Sequence, residues 1–240
     1  MTQAARDWLD LDDTALIDVI QLMEAGLKPI EDLFDIKIHH SSEAAAIMAA
    51  AKELLMIHGL SRAKELEEKS QRDGLTGAHN RIYFDETLRR EFHLSAQYKL
   101  PLTIAIIDLD HFKQVNDTHG HLAGDSLLVT VVSTIYEQIR QDDTLSRYGG
   151  EEFALILPGT TLAASRHLIS RLKDAIAAIN YKVDGHFSIR ITASIGVASN
   201  EQGVAHFNEP LDMIKAADSA LYAAKHAGRN QIIEWQPQRN

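Results

Sequence analysis

The run Arg147-Tyr148-Gly149-Gly150-Glu151-Glu152-Phe153-Ala154-Leu155-Ile156-Leu157-Pro158 constrains this chain more than any other segment. Two adjacent glycines ahead of a continuous apolar run predict a tight hairpin between two strands. Neither glycine carries a Cβ, so the turn's backbone can approach a ligand closely. The two carboxylates that follow sit at the turn, where oxygen ligands suit a hard divalent cation such as Mg²⁺. Taken alone, Gly-Gly-Glu-Glu also fits an ordinary acidic hairpin, so the rest of the chain has to decide.

Leu102-Thr103-Ile104-Ala105-Ile106-Ile107-Asp108-Leu109-Asp110 is the second anchor. Its β-branched run predicts a buried strand, and alternation points Asp108 and Asp110 the same way at its C-terminal end. A strand-end carboxylate facing a carboxylate-tipped hairpin is one way to build a two-metal phosphoryl-transfer site. An Asp-x-Asp at a strand end also serves as a loop start or helix cap.

Around these anchors the pattern alternates. An amphipathic helix carries Phe84, Leu88 and Phe92; further helices are predicted from about Gly124 to Arg140, over 162–179 and over 211–226. Strands are predicted over 189–198 and 231–235. The expectation is an α+β palm: a mostly antiparallel central sheet flanked by helices. Residues 1–72 are predicted to be wholly helical, with an acidic helix start at Asp10–Asp13, a break at Pro29 and a long helix from about Ser41. One helix pair buries little core, so this segment is expected to pair with its copy in a second chain. The domain division is therefore 1–72, a helical regulatory or dimerisation region, and 73–240, a catalytic domain.

Composition narrows the function classes. The net charge is −10, and residues 1–72 hold 14 acidic against 8 basic side chains, which argues against nucleic-acid and anionic-membrane partners. With no cysteine, disulfides and thiolate metal sites are excluded. No apolar run reaches the ~20 residues that span a bilayer, and the N-terminus lacks a signal-peptide pattern. The expected location is cytoplasmic. His39, His40 and His58 form no ordered metal-ligand spacing and are set aside.

Six spaced blocks, taken together, carry a resemblance. They are Asp73-x-Leu-Thr-Gly…Asn80-Arg81; Asp108-x-Asp-x-Phe-Lys113; Asn116-Asp117…Gly120-His-x-x-Gly-Asp125; Arg147-Tyr-Gly-Gly-Glu-Glu-Phe153; Ser194-Ile-Gly-Val-Ala198; and Ala217-Asp-x-Ala-Leu-Tyr-x-Ala-Lys225-x-x-Gly-Arg229-Asn230. In this order they resemble the GGDEF family of diguanylate cyclases, which condense two GTP into cyclic di-GMP. The match covers 73 to about 235, with Glu151 where the family name has Asp, so a carboxylate is kept.

The resemblance implies roles. Asp108 and Glu151 would bind two Mg²⁺ (or Mn²⁺) per GTP half-site, joined by the Leu109 carbonyl. Glu152 would lie beside the attacking 3′-hydroxyl as a ligand or proton acceptor. The N–H groups of His111 and Phe112, with Lys113, Lys225 and Arg229, would hold the triphosphate, and Gly150 would lie against the nucleotide. Lys225 and Arg229, four apart, are expected on one helix face. Asn116 and Asp125 would read guanine, whose N1–H and N2–H₂ both donate; adenine's N1 accepts, so Asp125 disfavours ATP. Arg140 and Asp143, with Arg171, would form a site where the product inhibits. His119 and His121 are expected to position the Gly-rich turn before Asp125. Catalysis would need a homodimer. The rivals are a cyclic di-GMP-binding module without turnover and a palm-type cyclase making cyclic AMP.

Overall fold

The computed structural model describes residues 71–183 and 187–237 of the 240-residue chain. The predicted helices and pairing of residues 1–70 lie outside the described residues; of the last two residues assigned to that helical region, Gln71 lies in a turn and Arg72 pairs with His79 in a β-bridge. Among the described residues no helix is long and apolar enough to cross a membrane.

Five strands form the central sheet in the order β2-β3-β1-β6-β7. They are β1 (Leu102–Leu109), β2 (Thr144–Arg147), β3 (Glu152–Pro158), β6 (Ala193–Asn200) and β7 (Ile232–Glu234). A separate hairpin joins β4 (Tyr181–Val183) and β5 (Phe187–Ile189). All neighbours in the main sheet are antiparallel except β6 and β7. Those two run parallel because a helix, rather than a tight turn, connects them. The mostly antiparallel sheet flanked by helices expected from the sequence is present.

Helices cover both faces, and β1 shows why its sequence is an unbroken apolar run. Ile104 and Ile106 pack on one face with Phe84, Leu88 and Phe92 of α1 (Arg81–Tyr98) and with Met213, Ala217 and Leu221 of α5 (Pro210–His226). Ala105, Ile107 and Leu109 pack on the other, with Leu127, Val131 and Ile135 of α3 (His121–Tyr136) and Ile169, Leu172 and Ile176 of α4 (Leu162–Ala178). A strand buried on both faces has no polar side to alternate with. Gly196 lets α5 settle onto the sheet: a Cβ there would overlap the Ala217 carbonyl and the Leu221 backbone.

The structure corrects several sequence expectations. A helix, α2 (Phe112–His119), occupies part of the predicted Gly-rich turn, and α3 follows after Gly120 alone. His119 and His121 are therefore helix ends. Helix α2 has only two buried apolar residues, Phe112 and Val115, and starts at a left-handed His111 (φ 60°) without a side-chain cap, so neither period nor cap announced it. Helix α3 stops at Tyr136, leaving Arg140 in a turn. The predicted strand over 189–198 divides between β5 and β6. Helix α5 ends at His226, so Arg229 lies beyond it.

Candidate active site

Sheet register creates the site. Asp108, at the end of β1, is paired across the sheet with Glu152, the first residue of β3. The Leu109 N–H donates to the Glu151 carbonyl at 3.3 Å, so the strand end and the Gly-Gly turn are joined directly. Tyr148 and Gly149 both donate backbone N–H to the Glu152 carbonyl, at 2.8 and 3.2 Å.

Arg147 fixes the turn from beneath. Its Nε and Nη2 donate to the Gly150 carbonyl at 3.0 and 2.8 Å, while Nη1 meets the Asp73 carboxylate at 3.1 Å. Burial would raise the Asp73 pKa, but the Thr76 hydroxyl and N–H and the Arg147 guanidinium outweigh it and hold that carboxyl below its usual value. The opening Asp73-x-Leu-Thr76 block is thus a brace for the hairpin. Its link to Arg147 was not legible in the sequence, because the two lie 74 positions apart.

The two glycines serve different ends. A Cβ at 149 would come within 2.7 Å of Glu152 Oε2, so Gly149 leaves room for that carboxylate. A Cβ at 150 would meet nothing within 4 Å, so Gly150 keeps backbone open toward the space beside the turn.

The electrostatics are those of crowded carboxylates with one close ion-pair partner among the described residues. Asp108 is only 7% exposed, and its Oδ2 is 2.7 Å from the Lys225 ammonium. Burial nevertheless holds its pKa above the usual value, opposed by Lys225 and Arg229 and reinforced by Asp110. Glu151 is also raised, by burial first and then by Asp108 and Glu152, against Lys225. Such a group gains from a cation. Among the described residues no three carboxylates or imidazoles converge closely enough to enclose a metal unaided. Mg²⁺ suits that arrangement, since it is held by one or two carboxylates together with water and substrate phosphates.

Cationic groups approach from two elements. Lys225 comes from the last turn of α5, and Arg229 from the following left-handed turn (φ 63°), close enough for its charge to act on Asp108. The expectation that both share a helix face is corrected: the chain leaves the helix between them. Lys113 is exposed in the first turn of α2. The N–H groups of His111 and Phe112 open that helix, and such groups lack intrahelical acceptors.

Asn116 and Asp125 lie on α2 and α3, which fold against each other through Gly120. A Cβ on Gly124 would overlap Asn116 Oδ1, so glycine there lets the Asn116 amide lie against α3 at the residue before Asp125.

Away from this cluster, Arg140 and Asp143 form a closed turn. The Asp143 Oδ2 accepts from the Arg140 N–H at 2.8 Å, and the Asp143 N–H donates to the Arg140 carbonyl at 3.2 Å. Burial raises the Asp143 pKa against the pull of Arg140. Arg140 is exposed, and Arg171 of α4 donates to the Gln138 carbonyl at 2.7 Å, beside the same turn.

Comparison with known proteins identifies the family. Residues 70–231 match the family described as Diguanylate cyclase, GGDEF domain. A relative from Pseudomonas aeruginosa, the diguanylate cyclase DgcP, is 39% identical over 175 residues, covering 72% of this chain and 25% of that protein. The diguanylate cyclase VdcA of Vibrio cholerae is 34% identical over 180 residues, covering 72% of this chain and 51% of its own length. The chain thus spans about a quarter to a half of these curated relatives. Among solved structures, the coiled coil and GGDEF domain of DgcB from Caulobacter crescentus, in complex with c-di-GMP, superposes with a TM-score of 0.71 at 28% identity. That match covers 81% of this chain and 100% of the other. The active GGEEF domain of a Vibrio cholerae diguanylate cyclase gives 0.61 at 28% identity, covering 66% and 98%.

Proposed function

The chain belongs to the GGDEF-domain family, and we propose that it is a diguanylate cyclase that condenses two GTP into cyclic di-GMP and two pyrophosphates. The observation that carries this reading is the pole formed by Asp108, the Gly149-Gly150-Glu151-Glu152 hairpin and Lys225, closed by the 2.7 Å ion pair. Its carboxylates suit a cation and its cations suit a triphosphate.

Asp108 and Glu151, with the Leu109 carbonyl, would hold two Mg²⁺. When bound, the metal supplies charge neutralisation at the phosphates and lowers the pKa of the attacking hydroxyl. The N–H groups of His111 and Phe112, with Lys113, Lys225 and Arg229, hold the triphosphate. Asn116 and Asp125 accept from and donate to the guanine edge, with Asp125 accepting from N1–H and N2–H₂. Glu152 lies beside the 3′-hydroxyl and takes its proton. The new bond joins that oxygen to the α-phosphorus of the other GTP; the bond to the β-phosphate oxygen breaks, and pyrophosphate leaves with the electron pair.

Each domain holds one GTP, so two domains have to face each other across a two-fold axis for both bonds to form. Residues 1–72 would supply that dimer and gate its alignment, a role in keeping with the coiled coil named in the DgcB structure. Product would bind at Arg140 and Asp143, with Arg171 nearby, and restrain turnover. There the guanidinium forks onto phosphate or guanine while Asp143 accepts from guanine N–H groups.

The test is chromatography of products from GTP and Mg²⁺, after stripping co-purified nucleotide and across a range of protein concentrations. Cyclic di-GMP, with specific activity rising with concentration, is the expected result. No turnover under any divalent cation, with tight cyclic di-GMP binding retained, would make the protein a ligand-binding module instead.

A further inference from the structure

Asp110 lies two residues beyond Asp108, is 4% exposed, and has a different set of partners. Its Oδ1 accepts from the Ser194 hydroxyl at 2.6 Å. Its Oδ2 accepts from the Thr192 hydroxyl at 2.6 Å and from the Asn230 N–H at 2.9 Å. The Asp110 N–H donates in turn to the Thr192 carbonyl at 2.8 Å. One carboxylate therefore ties together the end of β1, the start of β6 and the turn between α5 and β7. A carboxylate has about four acceptor positions, and three donors already use them here, which leaves little for a metal.

The turn that Asp110 holds is unusual. Gly228, Arg229 and Asn230 have φ values of +116°, +63° and +46°. Two successive non-glycine residues in the left-handed region persist only when their surroundings over-determine them. Two contacts do so: the Arg229 N–H donates to the Ala224 carbonyl at 3.1 Å, and Asp110 captures the Asn230 N–H. This backbone directs Arg229 toward the pole where its charge reaches Asp108. After α5 ends at His226, the Gln231 side-chain amide donates to the Ala224 carbonyl at 2.8 Å and the Gln231 carbonyl accepts from the Ile195 N–H at 2.9 Å. These contacts return the chain to the sheet, while Asp110 alone holds the Asn230 N–H among the described contacts.

We propose that Asp110 is a positioning residue for anion binding: its carboxylate locks the Gly228–Asn230 turn so that Arg229 joins Lys225 in holding a phosphorylated ligand. The identity of that ligand as GTP rests on the cyclase reading; the geometric coupling of Asp110 to Arg229 does not. Asp110→Asn keeps an oxygen for Thr192 and Asn230 and can donate its amide to the Ser194 hydroxyl. Asp110→Ala keeps none of these bonds.

The experiment is calorimetry of the full chain with Mg²⁺ and two probes, inorganic pyrophosphate and a GTP analogue with a non-cleavable α,β-methylene bridge. Asp110→Ala should weaken both by about tenfold, the size of losing one charge-assisted phosphate contact. Asp110→Asn should stay within about threefold of wild type. In an Arg229→Ala background, Asp110→Ala should add less than about twofold, because the residue it positions is gone. A full additional loss in that background, or unchanged binding by Asp110→Ala, overturns the inference. If the alanine variant does not fold, Asn230→Pro replaces it, since proline lacks the N–H that Asp110 captures and cannot adopt φ +46° while Arg229 is kept, and it should weaken pyrophosphate binding in the same way. Unchanged affinity in that variant overturns the inference as well. A wild type that binds pyrophosphate but not the analogue defeats the cyclase reading and leaves the coupling test intact. One that binds neither defeats both.

Discussion

Asp108 is buried and Asp143 half-buried, and burial raises the proton affinity of both, yet they occupy opposite kinds of surroundings. Asp108 sits among Glu151, Glu152 and Asp110 with one ammonium at 2.7 Å, so its region carries more negative charge than the protein itself neutralises. Asp143 is capped by the N–H of Arg140 within a closed turn, and the Arg140 guanidinium is left on the surface. In the proposed reading, cations and phosphate would complete the first region. The second is already folded around itself, and there the proposed reading has Arg140 and Asp143 offering a cation and an acceptor to a ligand that carries both phosphate and N–H donors. Burial alone does not separate these sites; the identity of the nearest partner does.

Three substitutions sharpen that contrast. The largest effect belongs to Glu152→Gln, which keeps the shape of the hairpin and removes the proposed proton acceptor. Turnover of GTP should fall by about 10²–10⁴-fold, the usual span for a general base, while cyclic di-GMP binding is retained. Steady-state rates and calorimetry on the same preparation check both halves.

Glu151→Gln is next. Burial and its acidic neighbours hold the Glu151 carboxyl above its ordinary 4.5, so its charged form opposes folding near neutral pH. Removing that charge should raise the melting temperature of the cation-free protein and abolish the further rise caused by Mg²⁺. The sign extends to pH. A carboxyl with a raised folded-state pKa binds more protons folded than unfolded, so its contribution to stability falls as pH rises through that window. For Asp108 and Glu151 the window opens at 3.8 and 4.5 and extends upward. Cation binding needs both deprotonated, so Mg²⁺ affinity should begin to fall on acidification above the ordinary carboxylate range. A melting series against pH, with and without Mg²⁺, measures both trends.

The smallest effect on folding belongs to Arg140→Ala. Its guanidinium is exposed, and the turn is held by backbone groups that alanine keeps, so stability should shift by no more than about 0.5 kcal/mol. Cyclic di-GMP affinity should fall at least tenfold, as expected on losing a forked phosphate contact. Denaturant melts and a binding isotherm check the pair.

Much of the domain was legible because its signals are local. The apolar run over 102–109 and the Gly-Gly hairpin specified two adjacent strands, and their register brings Asp108 opposite Glu152. What escaped was set by distance or by context. Helix α2 is two turns long and lacks a capping side chain, so it resembled a loop. The end of α5 at His226 was legible, but the spacing from Lys225 to Arg229 suggested one helix face, whereas a remote carboxylate, Asp110, stabilises the left-handed turn that carries Arg229 beyond the helix. The brace from Asp73 to Arg147 and the convergence of Thr192, Ser194 and Asn230 on Asp110 join motif blocks that are far apart in the chain. Each block was visible in sequence; which block touches which was not.

The measurement that tests the contrast most directly is paired calorimetry of the α,β-methylene GTP analogue and cyclic di-GMP, each with Mg²⁺ and with a chelator, on wild type, Asp108→Asn and Arg140→Ala. The account predicts that analogue binding disappears with the chelator and in Asp108→Asn, while cyclic di-GMP binding survives both and is lost in Arg140→Ala. If the two ligands depend on the same residues, or if the analogue binds equally well without metal, the acidic pole is not a cation-completed nucleotide site and the account is wrong.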